Sequence, residues 1–191
     1  MTRPLRIAVA GMGAMGRLYA GWLQQGCVPG AVFTAGYDPA PGAAARLRDE
    51  FPQAEFFSRS EELFSSGLAD AVIVASPHRF HPELGEEALR AGLHTLVEKP
   101  AGIDAASVHR MNQTAAEHPQ LTCGVMFNQR MNPLYRRIRQ LVQSGEMGRL
   151  RRVTWMITTW WRPDSYYSQS PWRATWAHEG GGVLTSQAPH Q

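Results

Sequence analysis

The chain has 191 residues, 43% hydrophobic and 18% charged, with a net charge of +3. That is enough chain to bury a core, and the balance excludes a disordered protein, which couples low hydrophobicity to high net charge. The basic residues are scattered apart from "YRRIRQ" and "GRLRRV", where they alternate with apolar positions, so no nucleic-acid footprint is expected. No run of about 20 apolar residues is present to span a bilayer. Arg3 and Arg6 ahead of "IAVAGMGAMG" imitate the start of a signal peptide, but glycines interrupt the apolar run and an α/β pattern follows, so a cytoplasmic location is expected. Cys27 and Cys123 match no metal-ligand spacing; both are expected to be buried thiols in a reducing compartment, and no metal is expected.

In chain order, "LRIAVAG" reads as a buried strand, and "AMGRLYAGWLQQG" as a helix with Met15, Leu18, Tyr19, Trp22 and Leu23 on one side. "AVFTAGYD" is a second strand and "GAAARLRDEF" a second helix. "AEFF" is a short strand, and "SEELFSSG" a brief helix with a serine cap. "DAVIVAS", "HTLVEKP" and "LTCGVMF" are further strands, separated by the helices "HPELGEEALRAG" and "DAASVHRMNQTAAEH". Strands that are near-continuous apolar runs, spaced by helices, predict a parallel, doubly wound sheet covered on both faces.

After Phe127 the pattern changes. "NPLYRRIRQLVQSGEMG" predicts a helix closed by glycine, and "RLRRVTWMITTWW" a long alternating strand of an open antiparallel sheet. The expected organisation is a dinucleotide-binding Rossmann domain over residues 1–127 and the incomplete opening of an α+β substrate domain over 128–191.

Gly11, Gly13 and Gly16 have the G-x-G-x-x-G spacing directly after a strand and at the opening of a helix. The first allows a tight turn, the second lets backbone approach a pyrophosphate, and the third lets helix and strand pack closely. Met12, Ala14 and Met15 complete this loop, whose N–H groups would face the phosphates. Asp38 ends the next strand 22 residues beyond Gly16, near the offset of a carboxylate that binds ribose hydroxyls. A carboxylate there repels a 2′-phosphate, so NAD is favoured over NADP. A plain glycine turn and a helix-capping aspartate are the alternatives.

In open parallel sheets ligands sit beyond the carboxyl ends of the strands. Ser76-Pro77 and Glu98-Lys99-Pro100 each end a strand, which places them on the edge that carries the glycine loop. Lys99 beside a nicotinamide can exchange a proton with a substrate hydroxyl; the alternative is an exposed lysine paired with Glu98.

Taken together, "GMGAMG", "ASPHRFH" with "EKP", and "WR" with "GGGVL" and a following histidine resemble the glucose-fructose oxidoreductase, inositol dehydrogenase and rhizopine-catabolism (Gfo/Idh/MocA) family across essentially the entire chain. The resemblance implies that Lys99 lies next to the nicotinamide and contacts the hydroxyl that is oxidised. Ser76, Pro77 and His81 would line the cofactor groove, with His78 where asparagine is common, and Glu98 would help hold the nicotinamide ribose. Asn128 and Arg130 fall in the linker. Trp172 and Arg173 would approach cofactor and substrate, and His190 would serve as acid/base, with Ser186 at the place of a common aspartate four residues earlier. Ser186 is expected to cap a helix whose third residue is Pro189, leaving His190 in the first turn with a neutral ring. The implied function is hydride transfer between nicotinamide and a sugar, cyclitol or related polyol, in a protein that is homo-oligomeric when full length. A nucleotide-sensing module without turnover, or a reductase of a non-sugar carbonyl or tetrapyrrole, are the competing readings.

Overall fold

The computed structural model of the chain describes residues 3–158 and 161–190. The chain forms two compact units, Met1–Met126 and Phe127–Gln191.

The first unit alternates strand and helix throughout: β1 (Leu5–Ala10), α1 (Ala14–Gln24), β2 (Ala31–Tyr37), α2 (Ala43–Glu50), β3 (Glu55–Phe57), α3 (Ser60–Ser65), β4 (Ala71–Val74), α4 (His81–Arg90), β5 (His94–Val97), α5 (Ala105–Glu117) and β6 (Cys123–Val125). The six strands form one sheet in the order β3-β2-β1-β4-β5-β6, and every pairing is parallel. Strand order reverses between β1 and β4, the crevice where doubly wound folds bind dinucleotides.

The continuous apolar runs follow from covering both faces. Side chains alternate along a strand, so Ala8, Ala10, Val72 and Val74 enter one core with Leu63, Leu84, Ala88 and Met111. Val9 and Ile73 enter the other with Tyr19, Leu23, Leu47, Phe51 and Phe56. At the amino edge, Asp70 accepts from Arg3 Nη2 at 2.9 Å and Arg6 Nη2 at 2.8 Å. These guanidinium bonds hold its carboxyl well below the usual carboxylate range.

Three local expectations are corrected. The buried face of α1 is Gly16, Tyr19, Ala20 and Leu23, while Met15, Leu18 and Trp22 are exposed. Gly16 packs against the backbone of Gly11, and that contact sets the rotation of the helix. Ser60 lies inside α3 rather than capping it; Arg59 is the capping position, and the Ser60 hydroxyl donates to Glu87 Oε2 at 2.8 Å. Cys27 is exposed and Cys123 half-buried, both as free thiols, because Cys27 falls in the turn that closes α1, where its N–H donates to Trp22 O.

In the second unit, α6 (Pro133–Gln143) begins at Asn132, whose side chain accepts from Leu134 N at 2.9 Å. The expected long strand does not form over residues 149–158; Thr159 and Trp160, the next two residues of that stretch, lie outside the described residues. A strand exists only when neighbours receive its backbone groups, and no described segment of residues 127–191 is extended beside this one. Its apolar residues Val153, Trp155, Met156 and Ile157 are therefore exposed. The short helices α7 (Asp164–Ser168) and α8 (Val183–Ser186) follow.

Candidate active site

Five strand ends line up along one edge of the sheet. Gly11 N donates to Tyr37 O at 2.8 Å, Ala75 N to Ala10 O at 2.7 Å, Glu98 N to Val74 O at 2.8 Å and Met126 N to Val97 O at 2.8 Å. Parallel register thus carries Gly11, Asp38, Ser76 and the Glu98-Lys99 pair to the same edge.

The glycine loop is built by contact. A Cβ on Gly11 would stand 2.5 Å from Ser76 N, and its φ of +98° lies in the left-handed region that favours glycine. A Cβ on Gly16 would stand 2.0 Å from Gly11 O. Above Gly13 the surroundings differ, because a Cβ there meets nothing within 4 Å. Gly13 caps α1, whose first turn contains no acidic residue, so the unpaired N–H groups of Ala14, Met15 and Gly16 and the positive helix end face that space. Open space over a cradle of backbone donors fits a dinucleotide pyrophosphate. The Met12 side chain points into the core, leaving its backbone as the part that faces the loop.

Asp38 reaches back to this loop: Oδ2 accepts from Met12 N at 3.1 Å and Oδ1 from Ala40 N at 3.0 Å.

His81 stands at the start of α4 and is 1% exposed. Its Nδ1 lies 2.7 Å from Pro100 O and its Nε2 2.7 Å from Ser76 O. The ring thereby ties together the two turns that carry Ser76-Pro77 and Lys99-Pro100. Burial pushes its pKa down, while the carbonyl bonds and the charge of Glu98 act the other way. The His78 ring is a tilted neighbour of His81, 5.7 Å away centroid to centroid.

Glu98 is buried. One oxygen, Oε2, accepts from Lys99 N at 2.8 Å, and the other accepts from the Tyr19 hydroxyl on α1. Lys99 precedes Pro100 through a cis peptide bond. It is also the single lysine of the sequence, the other 18 basic side chains being arginines. Sequence reasoning placed Tyr19 only on an apolar helix face; the signal available was a phenol where burial demands a partner for its hydroxyl.

In the second unit, the Arg173 guanidinium packs over the rings of Tyr166 at 4.3 Å and Trp172 at 4.5 Å, and donates to the Tyr166 hydroxyl. It also pairs with Glu179 at 3.7 Å, whose other oxygen accepts from Ala174 N at 2.6 Å. Asn128 and Arg130 occupy an exposed turn of 3-10 helix. Ser186 does not begin a helix as expected. It ends α8, which starts after Gly182, and Ala188–His190 form a separate 3-10 turn. Pro189 lacks the N–H that would bond Thr185 O, and its ring opposes continuation. The His190 ring meets the Phe127 ring edge-on at 6.2 Å.

Among the described residues no cluster of three or more His, Cys, Asp or Glu could hold a metal, and no helix is long and apolar enough to cross a membrane.

Comparison with known proteins agrees with this layout. Residues 5–127 match the model of the oxidoreductase family with an NAD-binding Rossmann fold, and residues 135–191 match the Gfo/Idh/MocA C-terminal domain. An inositol 2-dehydrogenase of Corynebacterium glutamicum is 35% identical over 150 residues, which are 78% of this chain and 44% of that protein. The structure of scyllo-inositol dehydrogenase from Lactobacillus casei with bound NAD(H) and scyllo-inositol superimposes with a TM-score of 0.70 at 29% identity, over 76% of this chain and 43% of the other. The WlbA dehydrogenase of Bordetella pertussis, in complex with NADH and UDP-GlcNAcA, matches all of this chain and 55% of its own, with a TM-score of 0.85 at 27% identity. The chain spans less than half the length of the inositol dehydrogenases that it matches. With the glycine loop, Asp38 and the Glu-Lys-Pro strand end on one edge of a parallel sheet, and with family models covering nearly its whole length, this chain belongs to the Gfo/Idh/MocA oxidoreductase family.

Proposed function

We propose that the intact protein is an NAD-dependent dehydrogenase that oxidises a ring hydroxyl of a cyclitol or sugar. The observation that carries this reading is the place of Lys99, the one lysine of the chain, at the end of β5 on the sheet edge that bears the glycine loop and Asp38. Arginine stays charged in proteins, so Lys99 is the one cationic side chain here, histidines apart, that can give and take a proton. The relatives named as acting on inositols, and the one bound to a sugar nucleotide, support the substrate class.

The nicotinamide, when bound, supplies the hydride acceptor. The backbone of residues 11–16 holds the pyrophosphate, and Asp38 takes the ribose hydroxyls, which disfavours a 2′-phosphate and selects NAD over NADP. Ser76 and Pro77 bound the groove, and Glu98 aids in holding the second ribose. Lys99 orients the reacting hydroxyl, and His190 carries its proton. Residues 128–191 open the substrate domain, in which Trp172, Arg173 and Ser186 contact the substrate; the flat apolar faces of sugars suit the aromatic side chains of this segment. With serine at 186, no carboxylate partners His190 from that position.

We also assign the intact protein to the cytoplasm as a homo-oligomer. Free Cys27 and Cys123 fit a reducing compartment, and the exposed Val153, Trp155, Met156 and Ile157 gain by being covered.

The test is to titrate NADH by fluorescence, then to mix the intact protein with NAD and a panel of cyclitols, sugars and sugar nucleotides while following absorbance of the reduced ring. Reduction with a polyol supports the reading. Tight NADH binding with no reduction across the panel favours a nucleotide sensor, and turnover only with non-polyol carbonyls favours a reductase of another class.

A further inference from the structure

We propose that Tyr19 is a positioning residue for Lys99 and acts through Glu98. The inference rests on reading Lys99 as the proton-handling group, but its geometry stands apart from any substrate. The two oxygens of the Glu98 carboxylate have divided partners: the Tyr19 hydroxyl of α1 donates to Oε1, and the backbone N–H of Lys99 donates to Oε2 at 2.8 Å. Glu98 is therefore a rigid bridge from the helix that begins at the phosphate loop to the residue that meets the substrate. Both ends are buried, Tyr19 at 8% and Glu98 at 8% exposure, so neither can exchange its partner for water without opening the site.

The ring alone does not require a hydroxyl at this place. Tyr19 packs edge-on against Trp22 at 5.7 Å, a contact that phenylalanine would keep. What phenylalanine removes is the donor to Oε1. Burial and the neighbouring Glu98 charge push the Tyr19 phenol far above its usual range, so it stays protonated and donates at every working pH. Without it, Glu98 Oε1 is stranded in a buried place, and the acceptor for the Lys99 N–H is no longer held still. The predicted chain of effects runs from hydroxyl to carboxylate to the backbone of residue 99.

Because the chain has one lysine, isotope-labelled lysine gives one backbone amide resonance, which reports directly on the bond to Oε2. In Tyr19→Phe we expect that resonance to move and its hydrogen exchange to rise about tenfold or more, because the carboxylate that accepts its bond is no longer fixed by the phenol. Glu98→Gln keeps an oxygen acceptor but removes the bridging carboxylate, and Tyr19→Phe added to it should move the resonance far less than it does alone. In the intact protein with a polyol, Tyr19→Phe should lower kcat about tenfold with KM little changed.

A Lys99 amide equally placed and equally protected in wild type and Tyr19→Phe overturns the inference, and so do shifts of equal size with Glu98 and with Gln at position 98. Absence of polyol turnover by the wild-type protein would instead count against the dehydrogenase reading, while the amide resonance still decides the role of Tyr19.

Discussion

Asp38 Oδ2 accepts the backbone N–H of Met12 at 3.1 Å, so the carboxylate at the end of β2 is tied to the turn between the first two glycines of the loop. In the proposed function the same group reads a ribose and holds the loop assigned to the phosphates, and substitutions can separate these two parts. Asp38→Ala removes both and should weaken NADH about tenfold or more, a loss of roughly 1.4 kcal/mol. Asp38→Asn keeps an acceptor for Met12 but no charge. It should leave the melting temperature near that of wild type while narrowing the preference for NADH over NADPH, measured by parallel fluorescence titrations.

Two glycines of one motif should respond in opposite ways. Alanine at Gly16 sets a methyl group 2.0 Å from the carbonyl oxygen of Gly11, and overpacking of this kind costs about 1–3 kcal/mol. Because the clash is with backbone, the cost should fall at the upper end, with a lower urea midpoint and loss of NADH binding. Alanine at Gly13 meets nothing within 4 Å. It should leave stability unchanged and still weaken NADH, because the methyl group enters the open space proposed for the phosphates.

For Lys99, replacement by Ala should leave NADH affinity within a few-fold and reduce turnover of the intact protein by about 10²–10⁴-fold, the usual share of general acid-base catalysis. Lys99→Arg retains the positive charge but cannot release a proton at working pH, and it should be about as slow. Stopped-flow reduction of NAD measures both, and an arginine variant near the wild-type rate would remove proton transfer from the role of Lys99.

The pH dependence of stability should carry the signature of His81. Burial lowers its folded-state pKa below the ordinary value of about 6.5. The unfolded chain then binds a proton more readily than the folded one, so this contribution to stability is whole above about pH 6.5 and is lost as the pH falls from there through the folded pKa. Urea midpoints measured from pH 8 down to pH 5 should decline over that window. His81→Asn should be less stable at pH 8 and flatter in its decline.

Much of the first unit was legible in the residues themselves. Apolar runs separated by helical patterns place all six strands, since a strand covered on both faces has no polar side, and the glycine spacing and Asp38 mark the loop. The rotation of α1 was not legible. Its apolar residues permit two faces, and the choice falls to the contact of Gly16 with Gly11, which lies outside the helix. Tyr19 was hidden for the same reason, because the partner of its hydroxyl stands 79 residues away.

Beyond Phe127 the alternating pattern over 149–158 read as a strand, but strand structure depends on a neighbour, and none of the described segments of residues 127–191 supplies one. Local capping rules put His190 in a helix that starts at Ser186, whereas Gly182 starts that helix earlier and Pro189 stops it. What this sequence determined by itself was local and periodic: the order of the elements, the phosphate turn, and a lysine at a strand's carboxyl end. Tertiary structure alone decided the bonds among Tyr19, Glu98 and the Lys99 backbone, the brace made by His81, and the tie from Asp38 to Met12. Each of these joins groups distant along the chain, and hydrogen bonds between distant groups depend on three-dimensional register that no short window of residues encodes.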